Sequence, residues 1–275
     1  MVGQRMTERV REACGMLNSS YPSDLTDGQF ALLEPMLAQP SKRGRPACDP
    51  RIMFNAILYV VRGGIPWRFL PKTYGPWETV YGTFARWKAA NLWQSLNERL
   101  RTSVRKQEGK RSRPTACILD SQTIRSADHG GQVGYDAAKK TKGRKRHLLV
   151  DTLGLVLGVW ITAANTPERA GAQGLLARVL VWFTWLRKMW VDGGYSGAEF
   201  AAWVRTIRPK LQVEVIRRSD EVKGFKVLPR RWVVERTFGW LMKQRRLVRD
   251  YEGTESSAIA MVYIAMIRIM LRRLA

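Results

Sequence analysis

The chain reads as an α/β protein with an all-helical N-terminal part, and three observations support that reading. Helix start and stop signals fill the chain up to about residue 107. Beyond a basic stretch at 105–113, short apolar runs alternate with helical segments, the layered plan of an α/β domain. Two of these runs end at an aspartate, Asp120 and Asp192, and a later helical segment holds Glu235. The expected division is an N-terminal extension at 1–20, a helical domain at 21–110 and an α/β domain at 111–275.

Each element has its own signal. Thr26 and Gln29 form a capping box, with Leu25 and Phe30 placed for a hydrophobic staple, so a helix starts there and stops before Pro40. A basic loop follows at 41–46. Asp49 caps a second helix with Pro50 at its first position, and Gly63-Gly64 ends it. A third helix runs from Gly75-Pro76 to about Ala90, and a fourth from Leu92 to Val104. On the third, Trp77, Val80, Tyr81 and Phe84 recur at buried-stripe spacing. Thr79, Thr83 and Arg86 share another face, compatible with a helix-turn-helix that reads a DNA groove or with the solvated face of a bundle. Residues 105–113 read as a linker. Thr115 to Leu119 is a strand ending at Asp120, and 147–150 with 155–161 flank a hairpin turn that contains Asp151. A helix at 168–186, a strand at 189–191 and a helix at 196–207 follow. A strand at 213–216 precedes a helix opened by Pro229, and the apolar stretch 258–267 reads as a core-packing C-terminal helix.

Charge narrows the partners. There are 47 Lys and Arg against 23 Asp and Glu, a net +24. That is far above the magnitude of ~2–8 usual for a small soluble domain, and such an excess points to nucleic acid. Positions 139–146 hold six basic residues, including Lys139, Lys142, Arg144 and Arg146, and Arg236 lies beside Glu235. Three scattered cysteines and two histidines make neither a disulfide framework nor a zinc site, which fits a reducing cytoplasm. No stretch looks able to span a bilayer or to serve as a secretory signal, so no membrane partner is expected. The tryptophans at 182, 185, 190, 203, 232 and 240 are expected in the core rather than against bases.

Widely spaced acids in a strongly basic chain are suited to holding divalent ions against a polyanion. Magnesium prefers oxygen ligands and shares its coordination between carboxylates, water and phosphates. Two parallel strands ending at Asp120 and Asp192 would bring both acids to one sheet edge, with Glu235 reaching in from a helix. Singly, each acid has a plainer explanation: an Asp after a strand is a common turn former, and Glu235 four residues after Arg231 can be a surface ion pair. The three motifs together outweigh those explanations.

At these residues the chain resembles the DDE transposases of the bacterial insertion-sequence-five family, within the insertion-sequence-four superfamily. The resemblance runs from about Tyr21 onward. It rests on Ile65-Pro66-Trp67-Arg68, Asp120-Ser121-Gln122-Thr123, Asp192-Gly193-Gly194-Tyr195 and Arg231-Trp232-Val233-Val234-Glu235-Arg236. It departs in having Leu228 where a Tyr is common, and Met242 followed by Lys243 where a Lys is common.

The resemblance implies a ribonuclease-H-like catalytic domain after a helical DNA-binding domain. It implies two Mg²⁺ ions, with Mn²⁺ as a substitute, held by Asp120, Asp192 and Glu235, with Tyr195, Arg231 and Lys243 around them. It also implies cutting at terminal inverted repeats of double-stranded DNA and joining of the 3′ ends to a target, by a bacterial cytoplasmic protein that works on the nucleoid as a homodimer or larger assembly. Two other activities fit the same residues: a non-catalytic DNA-binding regulator or decayed transposase, and a nuclease that never joins strands.

Overall fold

The computed structural model describes residues 21–37, 48–127, 131–216 and 231–275. The expected N-terminal extension, the basic loop at 41–46 and the helix start at Pro229 fall outside these residues. Four helices come first: α1 (Asp27–Leu33), α2 (Pro50–Gly63), α3 (Trp77–Ala89) and α4 (Leu92–Gln107). Thr26 Oγ1 accepts from Gln29 N at 3.2 Å, and Gln29 Oε1 accepts from Thr26 N at 3.4 Å, so the capping box forms as its spacing requires. Asp49 accepts from Arg51 N at 2.7 Å to start α2. Gly64, at φ +74°, ends it in a left-handed turn that a side chain would strain.

The helix-turn-helix expectation is not met in its simple form. Two short 3₁₀ turns, at Trp67–Phe69 and Lys72–Tyr74, separate α2 from α3. Thr83 is buried on α3, and its hydroxyl donates to Thr79 O at 2.9 Å within the same helix. The expected linker is also shorter than its charge suggests, because α4 continues to Gln107 and Arg105 is buried.

The rest of the chain builds one mixed sheet. Its strands are β1 (Ala116–Arg125), β2 (Gly134–Asp136), β3 (Thr141–Asp151), β4 (Val156–Ala163), β5 (Lys188–Val191) and β6 (Gln212–Val215). The strand order is β2-β3-β1-β5-β6, with β4 also on β3. β1 to β4 pair antiparallel around β3, whereas β5 and β6 continue parallel to β1. Helices α5 (Glu168–Val179) and α6 (Ala198–Ile207) pack on one face, where Cys117, Leu119, Met189 and Val191 form a core with Leu175 and Phe200. On the other face lie α7 (Trp232–Met242), α8 (Arg245–Val248) and α9 (Glu255–Leu274). This helical N-terminal region followed by a mixed sheet covered by helices is consistent with a ribonuclease-H-like α/β domain.

The second core is shared. Phe54, Leu96 and Leu100 from the N-terminal helices, Val156 and Val159 from β4, and Val234, Met261 and Ile264 from the C-terminal helices belong to one buried cluster. The change of architecture near residue 110 therefore does not separate two cores. Among the described residues, no helix is long and apolar enough to cross a membrane.

Candidate active site

Two of the three predicted acids meet through strand pairing. In the parallel pair β1–β5, Cys117 lies opposite Met189 and Ile118 opposite Trp190. Carried two residues further, the same offset sets Asp120 beside Asp192. Ile118 and Trp190 belong to the core beneath α7, and Asp120, two residues on from Ile118, projects to that same face. Asp120 is not a strand terminus as its motif suggested: β1 continues to Arg125, because β3 pairs with it from Cys117 to Arg125. β5 does end at Val191. Asp192 then turns the chain, its Oδ1 accepting from Gly194 N at 2.9 Å.

Glu235 comes from α7, which is fixed to the hairpin between β3 and β4. Thr237 Oγ1 donates to Gly154 O at 2.8 Å, and Arg236 donates to Leu153 O at 3.0 Å. Val233, Val234, Thr237, Phe238 and Leu241 are its buried face, which leaves Glu235 on the flank with its side chain 54% exposed. Arg231, just before the helix, links the acids. Its Nη2 lies 3.2 Å from Glu235 Oε1 and 3.9 Å from Asp192 Oδ2.

A fourth acid stands beside these three. Glu168, at the start of α5, accepts from Ser121 Oγ at 3.1 Å and pairs with Lys139 Nζ at 3.7 Å. A Cβ placed on Gly194 would lie 2.9 Å from Glu168 Oε2 and 3.1 Å from Asp192 Oδ1, so both carboxylates converge on that glycine. Nothing in the sequence singled Glu168 out, since an acid in the first turn is ordinary helix chemistry.

The electrostatics follow from this crowding. Burial pushes the Asp120 carboxyl up to about 7; a backbone hydrogen bond from Ser121 and the charge of Arg231 oppose the shift, while Asp192 and Glu168 reinforce it. Tyr195 is 1% exposed, and burial, then the charge of Asp120, raise its pKa, so it is a neutral phenol. Its hydroxyl has no aligned hydrogen-bond partner.

Among the described residues, no three Asp, Glu, His or Cys side chains are close enough to hold one metal ion. The donors nevertheless suit a hard divalent cation: all are carboxylate oxygens, and a cation beside Asp120 would favour its ionised form against the burial that raises its pKa.

The expected DNA contacts divide. Lys139, Lys142 and Arg86 are exposed. Arg144 and Arg146 are each 1% exposed, which corrects their assignment to a phosphate-tracking surface. Arg144 pairs with Asp250 at 3.1 Å, and Arg146 donates to Leu247 O at 2.8 Å, because central strand β3 turns both beneath α8. Arg236 is likewise engaged, its guanidinium 4.3 Å from the Trp232 ring and 4.5 Å from the Trp240 ring. Thr83 is buried, and Thr79 is half-buried. Lys243 lines a cavity of about 500 Å³ with Ser23, Tyr59, Arg62 and Arg245.

A family model described as Transposase DDE domain matches residues 111–270, and one described as Putative transposase of IS4/5 family matches residues 25–97. A curated relative, the insertion element IS402 uncharacterized 16.2 kDa protein of Burkholderia cepacia, is 30% identical over 117 residues, 40% of this chain and 78% of that protein. No solved structure matches the chain. The DDE-domain match covers more than half of the chain and spans Asp120, Asp192 and Glu235. The chain belongs to the DDE transposases of the IS4/5 group, metal-dependent enzymes that cut DNA.

Proposed function

We propose that the chain cuts double-stranded DNA at the terminal inverted repeats of its element and joins the freed 3′ ends to target DNA, with Asp120, Asp192 and Glu235 as the metal-holding acids. The observation that carries this reading is the pairing of β1 with β5, which sets Asp120 beside Asp192 while Arg231 ties Asp192 to Glu235. Two divalent ions, Mg²⁺ or Mn²⁺, would supply Lewis acidity at the attacking and leaving oxygens.

The chain's own residues do the rest. Asp120, within β1, and Asp192, just past the end of β5, hold the charge side by side, fixed by strand pairing and by the Gly194 turn. Glu235 approaches from the first turn of α7 rather than from a strand, with its side chain half in solvent. Tyr195 stays protonated and packs beneath the acids without acting as a base. Exposed Lys139, Lys142, Arg86, Lys243 and Arg245 offer positive charge to DNA phosphates, which position a duplex without reading its sequence. Bringing two transposon ends together calls for a homodimer or larger assembly on DNA.

The test is a labelled terminal-repeat duplex incubated with a target plasmid and Mg²⁺. Joined product is expected from the native chain. Asp120→Asn, Asp192→Asn and Glu235→Gln should each lower cleavage by at least about 1,000-fold while binding the duplex normally. Hydrolysis without joining would replace transposition with a nuclease activity, and full cleavage by all three variants would remove the assignment.

A further inference from the structure

We propose that Arg231 is the resident counter-cation of the acid site, filling the gap between Asp192 and Glu235 until divalent ions displace it. The inference rests on the proposed metal-holding role of the acids. One nitrogen, Arg231 Nη2, faces both Asp192 Oδ2 at 3.9 Å and Glu235 Oε1 at 3.2 Å. A magnesium ion needs its oxygens at ~2.0–2.1 Å, so acids separated by a guanidinium are spread wider than shared coordination allows. That explains why no three acids among the described residues are close enough to hold an ion.

Arg231 is also poorly committed where it stands. Its Nε is buried without a hydrogen-bond partner, and the contact to Asp192 is long. As the residue immediately before α7, it can leave without unwinding the helix that holds Glu235. Displacement frees Glu235 to close on Asp120 and Asp192, and frees Arg231 for a DNA phosphate. Arg231 therefore acts as a positioning residue: it keeps like charges assembled in the metal-free protein and sets a threshold for metal loading.

The experiment is Mn²⁺ binding to the full chain without DNA, followed by titration calorimetry and by electron paramagnetic resonance of free Mn²⁺. Removing the competing charge in Arg231→Gln should tighten binding at least about tenfold, whereas Arg231→Lys should stay near the native value. The metal-free Arg231→Gln chain should melt lower than the native one and regain more on adding Mn²⁺. Unchanged or weaker binding by Arg231→Gln overturns the proposal. If that variant does not fold, ¹⁵N-arginine spectra of the native chain decide, with the Arg231 signal assigned by its loss in Arg231→Lys. The signal should shift on saturation with Mg²⁺, and a stationary signal overturns the proposal. Asp120→Asn and Asp192→Asn separate the two ideas. Their loss of Mn²⁺ binding with an indifferent Arg231→Gln removes only the counter-cation, whereas native affinity in both removes the acid site itself.

Discussion

At the scale of single residues, Gly194 and His147 show how little room surrounds the chemistry. A methyl group on Gly194 would meet the carboxylates of Glu168 and Asp192 at 2.9 and 3.1 Å. Gly194→Ala should therefore push the acids apart and lower cleavage by up to about 100-fold, the effect of a misplacement near 1 Å. The melting temperature should barely change, since the position is exposed; a large drop in melting temperature would mean the turn, not the site, had failed. His147 lies fully buried on β3, with Nε2 3.0 Å from Thr162 Oγ1. Burial first, then the charges of Lys145 and Lys139, depress its pKa to about 4. The unfolded chain thus binds a proton near pH 6.5 that the folded chain refuses. Stability is complete above that pH and is lost as pH falls toward 4. Urea unfolding should show the native chain losing about 2 kcal/mol more than His147→Gln between pH 6.5 and 5. Equal losses would show that His147 titrates normally. Glu168 illustrates what residue-level reading misses. The motifs around Asp120 and Asp192 were visible in the sequence, but only folding brings the first turn of α5 to Ser121.

Strand β3 is the element that the sequence misrepresented most. Six basic residues in eight positions suggested a surface; Lys139, Lys140 and Lys142 are exposed, whereas Arg144, Lys145 and Arg146, inside the strand, are buried. The centre pairs with β1 on one side and β4 on the other, and its charges are met by groups about 100 residues later in the chain, Asp250 and the Leu247 carbonyl. No local pattern announces a partner at that distance. The hairpin after β3 was legible because its chemistry is local: Asp151 Oδ1 accepts from Leu153 N and Leu155 N, both at 2.9 Å. Its other oxygen pairs with Arg105 at 2.6 Å, and both side chains are nearly inaccessible. That pair ties α4 to the hairpin on which α7 rests. Arg105→Ala should cost roughly 3–5 kcal/mol by leaving a buried carboxylate alone. Chemical denaturation of Arg105→Ala and of the double variant with Asp151→Asn measures this. The double variant should recover part of the loss, and an additive loss would show that the two side chains do not interact.

Over the whole molecule, the boundary near residue 110 marks a change of secondary structure without a break in the core. The helix signals of the first part were correct because caps and glycine stops are written within a few residues. What those helices pack against was not written there. Helix α9 buries Met261, Val262, Ile264, Met266, Ile267, Met270 and Leu271 in the cluster that also holds Phe54, Leu96 and Leu100 of the N-terminal helices. Each such side chain contributes ~1.5–3 kcal/mol on burial, against a net stability of ~5–15 kcal/mol for a typical domain. Helices α2 and α4 therefore lack a sufficient partner when α9 is missing. A fragment of residues 21–110 should show helical circular dichroism but no cooperative thermal transition, and it should bind dyes that seek exposed apolar surface. Adding the 255–275 peptide in trans should restore part of the transition. A sharp, reversible melting curve from the fragment alone would establish instead that the N-terminal helices are an independent domain, and that their shared cluster with α9 is an interface between two folded units.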